Sequence, residues 1–197
     1  MRHALLSLAF VLLAGAADAA PAYVTGAPSL GKPTAKIHVE EYASLSCAHC
    51  AAFNNEVFPA FKAKYIDTGK VRYTLHEVLT EPANVAAIGF LTARCAGADK
   101  YFQVVDGLFR RQAEIFETRQ LRPILLDVAK QAGLSEAEVA ACVNDPANGQ
   151  ALEARVKAGE ARGVNATPFF FVNGVKVNGA TLADLDKAIA AAGHKAR

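Results

Sequence analysis

Ile37-His38-Val39-Glu40-Glu41-Tyr42-Ala43 followed by Ser46-Cys47-Ala48-His49-Cys50 is the stretch on which the fold turns. The first run is β-branched and aromatic enough for a strand. Just past the second, Phe53, Val57, Phe58 and Phe61 recur at helical spacing. Two cysteines two residues apart therefore stand at a helix N-terminus. There, unpaired backbone N–H groups and the positive end of the helix dipole favour negative charge, so Cys47 is expected to ionise more easily than a free thiol. Cys50, one turn on, faces the same side and is expected to be more buried, which suits a resolving thiol. A Cys-x-x-Cys pair is also half of a zinc site. A closed site needs four ligands, however, and Cys95 and Cys142 do not form a second close pair.

Outward from the dithiol, Ile37, Val39, Glu41 and Ala43 share one strand face by alternation, which groups Glu41 with apolar neighbours six residues before Cys47. Thr68-Gly69 ends the helix, and Val71 to Val78 alternates as a second strand. The resulting β-α-β unit places the cysteines at the C-terminal edge of its first strand, the usual edge for chemistry in such sheets. From Pro82 to Gly163 the pattern is wholly helical. Val85, Ile88, Leu91 and Cys95 form one apolar stripe; Tyr101, Val104, Val105, Leu108 and Phe109 form a second; Leu121, Ile124, Leu125 and Val128 form a third. Ser135 with Glu138 makes a capping box, stapled by Leu134 and Val139, and Cys142 lies on that helix's apolar side. Sheet returns at Phe169–Val172 and Val175–Val177 around Asn173-Gly174, a strong hairpin signal, and a closing helix follows Thr181.

The ends and the overall composition bound the remaining possibilities. Residues 1–19 read as a secretory signal peptide: a basic Met1-Arg2-His3, an apolar Ala4 to Gly15, and the cleavage pattern Ala17-Asp18-Ala19. Residues 20–35 read as an irregular arm. With 52% hydrophobic residues over 197 positions, the chain can bury one sizeable core. Its net charge of +2, spread rather than clustered, gives nucleic-acid binding no support. Export would put four cysteines where disulfides persist, which in a bacterial cell is the periplasm.

Taken together, the strand, Cys47-Ala48-His49-Cys50 with Phe53 and Pro59, the helical insertion, and Gly163-Val164-Asn165-Ala166-Thr167-Pro168-Phe169-Phe170-Phe171-Val172-Asn173-Gly174 resemble the DsbA-like thiol-disulfide oxidoreductases. The resemblance covers essentially the whole mature chain. It implies an α/β thioredoxin fold with an inserted all-helical subdomain: a signal peptide at 1–19, a first thioredoxin-fold segment at 20–82, the helical insertion at 83–162, and a second thioredoxin-fold segment at 163–197. It also implies that Cys47 is the thiol that attacks or is attacked, that Cys50 is its partner, and that Pro168 is a cis-proline facing them. Thr167 and Pro168 would bind substrate. Glu41 falls where the family keeps a buried acid for the inner cysteine's proton. No cofactor and no metal are implied. The implied partners are reduced or unfolded exported proteins and a quinone-linked membrane re-oxidase of the DsbB type, and the chain is expected to be a monomer.

Three positions depart from the family pattern: Ala48 where strongly oxidising members carry proline, Thr167 where the archetypal oxidase has valine, and Leu75-His76 where relatives place a basic residue near the acid. His49 argues for an oxidant, because an imidazole beside the thiolate stabilises the reduced form. An oxidase is the leading expectation. A reductase or isomerase for selected substrates stays open through Thr167, and a Cu(I) carrier using Cys47, Cys50 and His49 is the alternative of another class. With Cys47 and Cys50 paired, Cys95 with Cys142 is the one connectivity left. A structural disulfide is expected there, against the alternative of two buried free thiols.

Overall fold

The computed structural model describes residues 23–195, so the expected signal peptide lies outside the described residues. The sheet has five strands: β1 (Ser29–Leu30), β2 (Ile37–Ala43), β3 (Val71–Glu77), β4 (Phe169–Val172) and β5 (Val175–Val177), in the order β1-β3-β2-β4-β5. The central pair β2 and β3 is parallel, with Val39 opposite Tyr73 and Glu41 opposite Leu75. β4 runs antiparallel to β2, and β5 antiparallel to β4. Asn173 and Gly174 both adopt positive φ, 47° and 77°, as the tight hairpin turn demands. The 20–35 arm is less irregular than its glycines and prolines suggest. Ser29 and Leu30 pair antiparallel with Thr74 and Tyr73 and cover the free edge of β3.

The helix after β2 runs from Ala48 to Ile66 in four pieces: α1 (Ala48–Ala52), a π-wound turn (Phe53–Val57), α2 (Phe58–Phe61), and a second π-wound turn (Lys62–Ile66). Pro59 sits where the first wide turn ends. It has no N–H to give, so the helix accommodates it by loosening instead of breaking.

Between β3 and β4 the chain is helical: α3 (Ala83–Cys95), α4 (Tyr101–Arg110), α5 (Gln112–Thr118), α6 (Leu121–Gln131), α7 (Glu136–Val143) and α8 (Pro146–Ala161); α9 (Leu182–Lys195) closes the chain. The Ser135–Glu138 capping box is formed at the start of α7. The stripe expected on α3 is only a fraction of what is buried. Val85 and Ile88 are half-buried, whereas Ala86, Phe90 and Ala93 are fully enclosed, because α3 packs against α4, α6, α7 and α8 at once. Gly89 of this helix touches the loop that carries the dithiol, and a Cβ there would stand 2.6 Å from Leu45 Cδ1. Cys95 and Cys142 are joined as a disulfide tying α3 to α7 across a separation of 47 residues. A loop of that length is worth on the order of 4 kcal/mol in the chain-entropy model.

Candidate active site

Cys47 is the N-cap of α1, in extended conformation, and its carbonyl accepts from the N–H groups of Cys50 and Ala51, each at 3.1 Å. That geometry follows from the sequence: an apolar strand must end before a helix whose first turn has no other cap. The Cys47 thiol is half-buried and lies 3.5 Å from the carbonyl oxygen of Thr167, to which it donates. Its pKa is lowered to about 5. The Cys50 thiol donating to it is the largest cause; burial opposes this, and the Thr167 side chain and the N–H groups of Cys50 and His49 add to it. His49 is exposed, and what it brings to Cys47 is its backbone N–H. Cys50 is fully buried, accepts a 3.5 Å hydrogen bond from the Ser44 N–H, and is pushed upward by burial, by its bond to Cys47 and by the Glu41 charge. The two sulfurs are thus driven apart in acidity, a readily ionised outer thiol over a buried inner one.

Glu41 is 2% exposed and faces Leu75 on one neighbouring strand and Phe170 on the other. Desolvation pushes its carboxyl up to about 8, against a hydrogen bond donated by the Tyr73 hydroxyl and with the Cys47 charge. His76 is turned to the opposite sheet face, where it stacks on Tyr42 at 4.4 Å and contacts Glu40 at 3.1 Å. The structure therefore brings Glu41, Cys50, Cys47 and Thr167 together. The Thr167–Pro168 bond is cis, as is Glu81–Pro82, and both Thr167 and Pro168 are half-buried. Cys95 and Cys142 are bonded to each other, so neither is a ligand for the dithiol. Among the described residues no group of three or more His, Cys, Asp or Glu is gathered to hold a metal ion.

Three sets of residues were missed by sequence reasoning. Gln112 of α5 is buried, and its side-chain amide donates to Leu45 O at 2.8 Å and Cys47 O at 3.1 Å, which pins the turn that carries Cys47. Ser44, Ser46 and Thr80 form a hydroxyl cluster under that turn, with Ser46 Oγ donating to Thr80 O at 2.7 Å and Thr80 N to Ser44 Oγ at 3.1 Å. Tyr73 is the third. Its parity with Leu75 marks it as inward-facing, but its meeting with Glu41 depends on the β2–β3 register.

The model of the family described as Thioredoxin matches residues 24–191. The chain belongs to the thioredoxin family. Within it the chain is DsbA-like: it superposes on Wolbachia pipientis alpha-DsbA1 with a TM-score of 0.74 at 27% identity, covering 89% of this chain and 97% of that one. It also superposes on Chlamydia trachomatis DsbA with a TM-score of 0.73 at 20% identity, over 85% and 92% of the two chains, a likeness of fold. A candidate protein-disulfide oxidoreductase of Rickettsia bellii is 32% identical over 166 residues, 81% of this chain and 63% of that protein. This thioredoxin-family chain spans about six-tenths of the length of the curated Rickettsia relatives it matches.

Proposed function

We propose that this protein is an exported thiol:disulfide oxidoreductase that works as an oxidase on reduced or unfolded proteins of the periplasm. The observation that carries the proposal is the polarised pair: a half-exposed Cys47 whose thiolate forms near pH 5, above a buried Cys50 and an acid without a cation. A stabilised thiolate is a good leaving group and favours the reduced form, and that makes the disulfide oxidising. A client thiolate attacks Cys47, and the Cys47–Cys50 bond breaks. Cys50 departs with the electron pair and takes the Glu41 proton. A second client thiolate then displaces Cys47, and the client leaves oxidised by two electrons. The resulting dithiol needs an external oxidant, which the family resemblance assigns to a quinone-linked membrane partner. A client segment whose cysteine reaches Cys47 must pass the main chain of Thr167 leading into Pro168. There, backbone hydrogen bonding would give affinity with little sequence preference.

The test combines thiolate absorbance near 240 nm against pH with the oxidation of a reduced, unfolded client in glutathione buffer. The expected result is an inflection near pH 5, an equilibrium potential of about −180 mV or less negative, and a mixed disulfide that accumulates in Cys50→Ser. An inflection at or above about 8.5 would overturn the polarised pair. Faster repair of a scrambled client than oxidation of a reduced one would point to an isomerase. Tight Cu(I) binding without thiol exchange would replace the reading with a metal carrier.

A further inference from the structure

A buried acid that must give up and recover a proton on every turnover needs something to hold its charged form. Among the described residues that partner is not a cation. The residue opposite Glu41 on β3 is Leu75, the one opposite it on β4 is Phe170, and the guanidiniums of Arg94 and Arg155 pair with Glu77, further along the same sheet face. Among the described residues the one side-chain hydrogen bond to Glu41 comes from the Tyr73 hydroxyl. That hydroxyl is held in place. The Tyr73 ring is 2% exposed and packed between Phe58 and Phe61 of the active-site helix, at centroid distances of 5.0 and 6.1 Å, and Phe102 of α4 at 6.0 Å.

We infer that Tyr73 is a positioning residue for thiol exchange: its clamped hydroxyl fixes the Glu41 carboxyl and stabilises the carboxylate left when Glu41 has passed its proton to Cys50. The inference rests on the exchange reading and deepens it. When the Cys47–Cys50 bond breaks, the Cys50 sulfur carries off the electron pair and receives the Glu41 proton. The charge that would have rested on sulfur then rests on a carboxylate that already accepts a hydrogen bond. In the reverse step, Glu41 takes the Cys50 proton as that sulfur attacks the mixed disulfide and expels the client thiolate. A lysine or arginine in this place would keep the acid ionised and empty of its proton. A phenol donates one hydrogen bond, brings no charge, and leaves the acid able to work in both directions. The titratable groups facing Glu41 are Cys47 and Cys50 from the active-site turn and helix and Tyr73 from β3. Tyr101 of α4 stands behind Tyr73 with its hydroxyl engaged by Glu77 at 3.2 Å.

Tyr73→Phe in the full chain tests this, because phenylalanine keeps the ring packing and removes only the hydroxyl. Two quantities are followed against pH: the rate at which Cys50 resolves a mixed disulfide on Cys47, and the Glu41 carboxyl resonance in protein carrying 13C-labelled glutamate. Losing a hydrogen bond to a charged group should move the Glu41 inflection upward by about one to two pH units in both readouts. Resolution at neutral pH should slow by roughly tenfold or more and recover above the shifted inflection, whereas alkylation of Cys47 stays as in the wild type. Glu41→Gln should abolish the inflection, and adding Tyr73→Phe to it should slow resolution no further. An unmoved Glu41 inflection, or an equal slowing in the Glu41→Gln background, would overturn the inference while leaving exchange intact. A wild-type protein that forms no mixed disulfide would overturn the exchange reading itself, and the carboxyl resonance would still report whether Tyr73 holds Glu41.

Discussion

Glu41 and Glu77 lie on the same face of one sheet, on adjacent parallel strands, and each is 2% exposed. Their surroundings are opposite. Glu77 accepts hydrogen bonds from Arg94 Nε and from Arg155 Nε at 2.7 Å, with the Tyr101 hydroxyl at 3.2 Å. Arg94 is itself 1% exposed and also donates to the carbonyls of Val24 and Gly26, which fastens the N-terminal arm to α3. Arg155 carries the same carboxylate to α8. Glu41 has a phenol and two thiols for company. Burial by itself therefore does not say what a carboxyl group does. Compensated by two cations it is a structural joint; with none among the described residues it keeps its proton to a higher pH.

The largest expected effect comes from removing the uncompensated carboxyl. The folded pKa of Glu41, about 8, is above its ordinary 4.5, so between these values the folded state holds a proton that the unfolded state has lost. Stability from this group is complete below about pH 4.5 and falls as pH rises toward 8. The total is on the order of 5 kcal/mol. Denaturant unfolding of wild type and Glu41→Gln at pH 4 and pH 9 should therefore show the variant gaining by that order at the higher pH. Taking the difference between the two proteins cancels the opposite slope that the acid-shifted Cys47 contributes. Equal stabilities at both pH values would remove the contrast with Glu77.

Glu77→Gln should have the next largest effect. It strands the enclosed Arg94 charge and should cost about 3–5 kcal/mol, read as a fall in the urea midpoint. The Cys47 inflection should stay near pH 5 in this variant. A displaced inflection with little loss of stability would mean that the two carboxyl groups have exchanged roles.

The smallest effect belongs to Glu40, on the other face of β2. Hydrogen bonding from His76 and then from Arg162 lowers its pKa to about 2 against the cost of burial. Because the folded value is depressed, its contribution is present above about pH 4.5 and lost as pH falls through 2. The Arg162 side chain is 39% exposed, so screening keeps the pair near about 1 kcal/mol. Glu40→Gln should lose about that much at pH 7, less in 1 M salt, and nothing below pH 2. A loss comparable to that of Glu77→Gln would place Glu40 among the structural joints.

The misses in the sequence reading share a cause. The 20–35 arm looked irregular because two residues, Ser29 and Leu30, are too short a run to alternate; only the unpaired edge of β3 makes them a strand. A single apolar stripe on α3, Val85, Ile88, Leu91 and Cys95, marks one face, but four helices pack against this helix, and Ala86 and Ala93 are as buried as Phe90. Gln112 carries no signal at all, since a glutamine in a short helix reads as surface until its amide is found under the Cys47 turn.

Local physics alone wrote much of the molecule into the sequence. A strand giving way to a helix at Cys47, the capping box at Ser135 and the Asn173-Gly174 turn each depend on neighbours within a few residues, where backbone preference and short-range hydrogen bonds decide. What the carboxyl groups and thiols do was decided by tertiary structure. The strand register set Leu75 opposite Glu41 and brought Tyr73 within reach of it. The helices drew Arg94 and Arg155 to Glu77 instead, and the turn before β4 set the Thr167 carbonyl beside Cys47. The free energy of a charge depends on how much water is removed and which partners replace it, and groups distant in sequence supply both.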